Sequence, residues 1–279
     1  MKQPKTLYVT DLDGTLLDSS ARLSAYATEQ LNHMIKSGLH FTVATARTAA
    51  TAKLLLSGLH LRMPAVLMNG VLIYDINREA TIRVLTIPIH AAEMILRVLK
   101  ELRVTGLAYE QNGEMLTTYY ESLTYAPLHD FVRERERRFN KPFTYAESFS
   151  DILSEHLIHF TLLDTREALY KVREALSRIS DIHIDVYQDI YHAGQWFLEI
   201  FSADASKQNG TQYLKDKYGF ERVVGFGDNI NDLPLFKACD VKIAVKNAHP
   251  DLLAAADYIC EGNDDDGVIQ WLSNNITNF

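Results

Sequence analysis

The stretch TLYVTDLDGT (residues 6–15) contains the features that decide how the rest of the chain is interpreted. Its first half is apolar, aromatic or β-branched, which predicts a short, fully buried strand over Thr6–Thr10. Two carboxylates, Asp11 and Asp13, follow this strand directly. Carboxylates this close repel each other, so one takes up a proton unless a cation lies beside them. Gly14 permits a tight turn that brings backbone amides near an anion.

Helical and strand patterns alternate after this stretch. Apolar residues at helical spacing predict a helix over 25–37, and LHFTVAT (39–45) is a second buried strand. A helix over 48–56 and a strand over 65–69 follow, and the alternation returns after Lys207. Short apolar strands in a β-α-β-α-β order indicate an α/β fold, with a Rossmann-like, doubly wound parallel sheet covered on both faces.

The middle of the chain has a different character. Alternating residues around Asn112-Gly113 predict a β-hairpin, and further strand and helix patterns surround it. We therefore expect a core formed by 1–85 and 191–279 and an inserted α+β unit over 86–190. The run RERERR (133–138) inside the insert is interpreted as a solvated helix face, with a phosphate-binding patch as the alternative.

Composition excludes several classes of protein. With 47% apolar residues among 279, the chain can bury a large core, and its net charge of −8 argues against nucleic-acid or anionic-membrane partners. Its two cysteines, Cys239 and Cys260, lack zinc-type spacing and are expected to be reduced. A polar start and the lack of an 18-residue apolar run predict a cytoplasmic protein. A monomer and a dimer are equally compatible with the sequence.

Polar side chains follow several predicted strands at the edge where parallel sheets bind ligands. They are Asp11 and Asp13, Thr45 and Arg47, Lys207 after a strand over 196–201, and Asp228, Asn231 and Asp232 after VVGFG.

Their chemistry suits a phosphate ester and a divalent cation. Asp228 could add a third carboxylate to the Asp11–Asp13 pair, and oxygen ligands of this kind are typical of Mg²⁺. Lys207 is a point charge suited to a phosphoryl oxygen or a carboxylate nucleophile. Arg47 is either a bidentate phosphate clamp or an ordinary surface cation, and both interpretations stay open.

These residues resemble the haloacid dehalogenase-like (HAD) hydrolase superfamily. DLDGT (11–15) is similar to its first motif, while TAR (45–47), Lys207 and GDNIND (227–232) stand where the second, third and fourth are expected. NG (69–70), KIAVKNAHPDLLAAADYI and NDDDGV further resemble the Cof-type, class IIB sugar phosphatases, which carry an α/β (C2-type) cap.

The resemblance implies a role for each matched residue. Asp11 would be the nucleophile, and Asp13 would be the general acid and then the base. Mg²⁺ would be bound by the side chains of Asp11 and Asp228 and the carbonyl of Asp13. Phosphoryl oxygens would be held by Thr45, Lys207, Asn231 and the Leu12 amide, with Ala46 and Arg47 in the same segment. Asp232 would orient Lys207 or metal-bound water.

The resemblance has one departure and one gap. Ala46 stands where the family usually has glycine, and we expect the added methyl group to be tolerated. The insert is expected to close over the site and select the leaving group. Its candidate specificity residues are Gln111, Asn112, Gln188 and Asp189, each of which could equally be an ordinary solvent-facing residue.

The expected activity is Mg²⁺-dependent hydrolysis of a small phosphorylated metabolite, with sugar phosphates as the first choice. A phosphomutase on the same scaffold is an alternative, although it would need a concentrated set of arginines in the cap. A catalytically idle binding module is a second alternative, opposed by the fact that every chemical position is filled.

Overall fold

The computed structural model describes residues 4–188 and 194–276, and the chain divides into two compact units. The first contains Met1–Arg83 and Ser206–Phe279, and the second contains Val84–Ala205. None of the helices in the described ranges combines the length and the apolar character needed to cross a membrane.

A parallel sheet in the order β14-β13-β12-β1-β2 forms the centre of the first unit. A smaller sheet, β3-β4-β5, continues from it through a bridge between Ala44 and Val66. The elements of this unit are β1 (Thr6–Thr10), α1 (Ala25–Lys36), β2 (His40–Val43), α2 (Ala49–Leu55), β3 (Ala65–Leu67), β4 (Leu72–Asp75), β5 (Ala80–Val84), α6 (Lys207–Tyr218), β12 (Arg222–Gly227), α7 (Leu233–Ala238), β13 (Val241–Val245), α8 (Pro250–Ala255), β14 (Tyr258–Cys260) and α9 (Gly267–Asn275).

Strand β1 is buried along its whole length because it pairs with β12 on one side and β2 on the other. Its alternate residues face opposite layers. Leu7 and Val9 pack with Leu214 of α6 and Leu235 of α7. On the other face, Phe226 of β12 contacts Trp271 of α9 edge-on. Helices therefore cover both faces, and the predicted doubly wound α/β fold is confirmed.

The second unit is an antiparallel sheet in the order β10-β11-β9-β6-β7-β8, with only β7 and β8 parallel. Two helices, α3 and α5, pack against one face through a cluster that includes Phe160, Leu162 and Leu198. The elements are α3 (Ile89–Leu102), β6 (Gly106–Asn112), β7 (Met115–Tyr120), α4 (Ala126–Phe139), β8 (Thr144–Tyr145), β9 (Leu157–Asp164), α5 (Arg166–Leu176), β10 (Ile182–Gln188) and β11 (Trp196–Ser202).

The structure differs from the sequence prediction at the second boundary between the units. The strand over 196–201, expected in the parallel core, is β11, which pairs antiparallel with β10 and β9 in the second unit. Leu198 and Ile200 are buried in that unit's core, which explains why the strand belongs there. The boundary lies after Ala205, and Lys207, expected just after a strand of the core, is the first residue of α6.

Candidate active site

Asp11 lies immediately beyond the end of β1, and its side chain is almost completely buried. Its backbone amide donates to the Phe226 carbonyl of β12 at 3.0 Å, which fixes the chain as it leaves the sheet. The Lys207 ammonium donates to Asp11 Oδ1 at 2.5 Å and to Asp232 Oδ1 at 2.6 Å. Lys207 is only 2% exposed, so its charge depends on these two carboxylates.

The Lys207 side chain comes from the first residue of α6. Ser206 is the N-cap of this helix, and its hydroxyl accepts a hydrogen bond from the Asn209 amide at 2.9 Å. A serine cap satisfies one of the free amides of the first turn. The cap therefore fixes where the helix begins and, with it, the starting point of the lysine side chain.

Asp232 uses both of its carboxylate oxygens. Oδ1 accepts from Lys207, while Oδ2 accepts from the backbone amides of Asp228 and Asn229 at 3.0 and 3.1 Å. The side chain is fully buried at the end of the turn Ile230–Asp232. Such saturation makes Asp232 a fixed partner of Lys207.

Asp228 follows β12 and is held beside the DLDGT stretch. The Thr15 hydroxyl donates to Asp228 Oδ1 at 2.8 Å. Gly14 leaves the necessary room, because a Cβ there would lie 2.5 Å from Asp228 Oδ2. Carboxylate oxygens of Asp11, Asp228 and Asp232 lie within 4.8 Å of one another.

Asp13 forms a bidentate ion pair with Arg47. The Nε atom donates to Oδ2 at 2.6 Å and the terminal nitrogen to Oδ1 at 2.5 Å, a geometry that only a guanidinium provides. Of the two interpretations of Arg47, neither described this contact. The structure places the guanidinium on a carboxylate of the same site, where it has a defined orientation.

The remaining predicted phosphate-binding residues differ in burial and in their hydrogen bonds. Thr45 is buried, its amide donates to the Val66 carbonyl at 2.9 Å, and its hydroxyl accepts from the Arg47 amide. The Thr45 amide is therefore already engaged within the fold. Leu12 has a buried side chain, and its carbonyl accepts from the backbone amides of Thr15, Leu16 and Leu17. Asn231 is exposed on the turn between Asp228 and Asp232.

Ala46 occupies an exposed position with a negative φ, since it is absent from the positive-φ residues of the described chain. Its methyl group therefore causes neither the crowding nor the strain that a glycine-requiring position would produce.

Burial and charge determine the titration of the centre. Burial raises the pKa of Asp11 well above its ordinary value; the Lys207 charge opposes this, and Asp232, Asp228 and Asp13 add to it. Burial also raises the pKa of Asp228 to about 6, helped by the Asp232 charge. For Lys207, burial alone would lower the pKa, but Asp11 and Asp232 outweigh it and raise it. The short Lys207 contact favours ionised Asp11, and further positive charge would favour it more.

Sequence reasoning missed the residues that hold the DLDGT turn. Asn247 Nδ2 donates to the Gly14 carbonyl at 2.9 Å, and its Oδ1 accepts from the Asn263 amide at 3.0 Å. Asn263 Nδ2 in turn donates to the Leu17 carbonyl at 2.9 Å. Both asparagines belong to segments that carried the family resemblance, KIAVKNAHP and NDDDGV, which was the available signal.

The candidate specificity residues of the second unit have varied positions. Gln111 is buried and its Nε2 donates to the Gly113 carbonyl at 2.8 Å, whereas Asn112 and Gln188 are exposed. Asp189 lies outside the described residues. In RERERR, arginines form exposed ion pairs with Glu134 and Glu136 on α4, as expected of a solvated helix face.

Comparison with known proteins assigns the chain to a family. Residues 8–272 match the model of the haloacid dehalogenase-like hydrolases, so the chain belongs to that family. Pyridoxal phosphate phosphatase YbhA of Escherichia coli K12 is 23% identical and covers 94% of this chain and 95% of its own length. 5-Amino-6-(5-phospho-D-ribitylamino)uracil phosphatase YitU of Bacillus subtilis is 22% identical, with 98% of each chain covered.

A solved structure with the same fold is that of the HAD subclass IIB sugar phosphatase BT4131. It has a TM-score of 0.73 and 19% identity, with 97% of this chain and 98% of that chain covered. This likeness shows that the two chains share a fold. Together, the family match and the named relatives identify the chain as a phosphoric monoester hydrolase.

The raised pKa of Asp228 predicts a stabilising substitution. Above about pH 6 the folded protein without metal carries a partly buried charge that the unfolded chain solvates, whereas both states hold the proton only below the ordinary pKa of 3.8. We expect Asp228→Asn to stabilise metal-free protein at pH 8 by up to about 3 kcal/mol, and by much less at pH 4.5. Urea unfolding in a chelator at both pH values measures this difference.

The matched control is Asp130→Asn, because the Asp130 side chain is 79% exposed. It should change stability by less than about 0.5 kcal/mol at either pH. A destabilised Asp228→Asn protein at pH 8 would contradict the argument.

Proposed function

We propose that this phosphatase hydrolyses small phosphorylated metabolites, with sugar phosphates as the first candidates, through an aspartyl-phosphate on Asp11. The observation that carries the proposal is the buried Lys207 ammonium held between Asp11 and Asp232 at the end of β1. A cation in this position stabilises an ionised carboxylate in a nearly dry environment, where that carboxylate can act as a nucleophile.

In the first step, a carboxylate oxygen of Asp11 attacks phosphorus and the bond from phosphorus to the ester oxygen breaks. The leaving alkoxide takes a proton from Asp13 and departs as an alcohol. In the second step, Asp13 removes a proton from water, whose oxygen attacks phosphorus. The bond to Asp11 breaks and inorganic phosphate is released, which restores Asp11 as a carboxylate and leaves Asp13 protonated for the next cycle.

The donor set fits Mg²⁺. Asp11 and Asp228 offer carboxylate oxygens, the ligand type this ion prefers, and Gly14 preserves the room beside Asp228. The carboxylate oxygens of Asp232 are already engaged, so the Asp13 carbonyl is the better third protein ligand. When bound, the ion would supply positive charge that reduces repulsion between Asp11 and a phosphate dianion.

The names of similar proteins indicate which class of leaving group to expect. YbhA is named for pyridoxal phosphate, YitU for a phosphoribityl compound and BT4131 for sugar phosphates. All three names describe phosphorylated small molecules with different leaving groups. We propose the same broad class here, and we assign selection of the leaving group to the second unit.

The activity is tested by phosphate release from a panel of sugar, polyol, pyridoxal and nucleotide phosphates with Mg²⁺, alongside a generic aryl phosphate. We expect release from at least one panel member and its loss in Asp11→Asn, because an amide cannot form the phosphorylated intermediate. The loss should exceed about 10³-fold in kcat.

Circular dichroism confirms that the variant is folded. Full turnover by a clean preparation of Asp11→Asn would disprove the nucleophile. An isomerised sugar phosphate as the main product would favour the phosphomutase, and no release across the whole panel would favour an idle binding module.

A second prediction separates two functions of Arg47. If its main task is to hold Asp13, Arg47→Lys should lower kcat/KM steeply for alkyl phosphates, whose leaving group needs a proton. The expected loss is about 10- to 100-fold, within the range of general acid catalysis. For 2,4-dinitrophenyl phosphate, which needs little protonation, we expect less than about threefold.

The quantity kcat/KM is used because it reports the steps up to formation of the aspartyl-phosphate. Asp13→Asn should show the same dependence on the leaving group. An equal loss for all substrates in Arg47→Lys would instead identify Arg47 as a phosphate clamp.

A further inference from the structure

The turn Met68–Gly70 connects segments that carry the site. Its residues all have positive φ angles, 50° at Met68, 54° at Asn69 and 97° at Gly70. The Asn69 amide donates to the Thr45 carbonyl at 3.0 Å, and the Met68 amide donates to the Arg47 carbonyl at 3.1 Å. The turn is therefore hydrogen-bonded directly to the segment that contains the TAR motif.

The other side of the turn touches the beginning of α6. A Cβ at Gly70 would lie 2.1 Å from the Ser206 carbonyl oxygen and 2.6 Å from its carbonyl carbon. Ser206 is the N-cap of α6 and precedes Lys207. The obstructing atoms are backbone atoms, so they cannot rotate away as the end of a flexible side chain could.

A second close approach occurs within the first turn of the same helix. A Cβ at Gly210 would lie 2.5 Å from Val66 Cγ1, on the strand that leads into the turn. Gly70 and Gly210 thus allow α6 to lie closer to β3 and its turn than any other residue type would permit. The position of this helix determines where the Lys207 side chain begins.

We propose that Gly70 and Gly210 are positioning residues for the phosphatase reaction, because they seat α6 where Lys207 reaches both Asp11 and Asp232. This inference rests on the proposed function. Lys207 is buried, so a displaced ammonium group finds no water to replace a lost carboxylate. A methyl group at Gly70 requires a shift of about 1 Å in Ser206, enough to reduce catalysis strongly.

The test must separate helix placement from the ordinary cost of a positive φ. Gly38 provides the matched control: its φ is 111°, and a Cβ there would have nothing within 4 Å. Gly38→Ala and Gly70→Ala both force alanine into a left-handed conformation, but only Gly70→Ala pushes against α6. Wild-type activity and its loss in Asp11→Asn must be established first, so that failure of the function and failure of this inference are distinct.

We expect both alanine variants to have a lower unfolding temperature than the wild type. Their kinetics are measured separately, with a substrate on which the wild type is active. Gly70→Ala should lower kcat/KM at least about tenfold, against less than about twofold for Gly38→Ala. It should also weaken inhibition by inorganic phosphate, a readout that a loss of stability alone would not move. Equal activity of the two variants at a temperature where both are folded would overturn the role of Gly70.

Gly210→Ala keeps the inference testable even if Gly70→Ala does not fold. Alanine is favoured over glycine inside a helix, and this preference offsets part of the steric cost of the added methyl group, so we expect the variant to fold. We expect kcat/KM to fall about threefold or more, with weaker phosphate inhibition and a retained helical spectrum. Wild-type kinetics in Gly210→Ala would overturn the proposal that the close seating of α6 positions Lys207.

Discussion

The buried ammonium group of Lys207 is the constraint on which the rest of the site depends. Moving such a charge out of water costs several kcal/mol, and removing one partner of a buried pair typically costs about 3–5 kcal/mol. Asp11 and Asp232 supply the compensation, and Asp232 is held by amides of its own turn. Two loops and one helix start must therefore occupy fixed positions together, although they lie far apart in the sequence.

The same centre holds more negative than positive charge. Four carboxylates, those of Asp11, Asp13, Asp228 and Asp232, face two cations, Lys207 and Arg47. When all are ionised, two negative charges are left without compensation, which equals the charge of one divalent cation. Burial raises the pKa values of Asp11 and Asp228, and repulsion by the neighbouring carboxylates raises them further. The charge balance and the oxygen donors thus favour the same kind of ion.

The hydrophobic pattern of the sequence predicted the individual strands and helices, but not which strands pair with each other. The buried strand Thr6–Thr10 and the β-α alternation predicted the parallel sheet, and DLDGT predicted that carboxylates would gather at the end of its first strand. The strand Trp196–Ser202 was assigned to the wrong sheet, because alternation and apolar content identify a strand but not its partners. The ion pair of Arg47 with Asp13 was missed for a related reason: it joins residues 34 apart whose orientation depends on two separate loops.

Some glycines in the motifs are required by close tertiary contacts that the sequence does not show. Gly14 and Gly70 have positive φ angles, and each also stands directly against another group, a carboxylate in one case and a helix N-cap in the other. Neither neighbour is close in sequence, so this additional steric requirement cannot be inferred from a turn propensity. Backbone contacts of this kind leave little freedom to alter the phosphoryl half of the site. Changes of substrate within such a scaffold are therefore expected to arise from side chains outside these contacts, which agrees with relatives named for different phosphate esters.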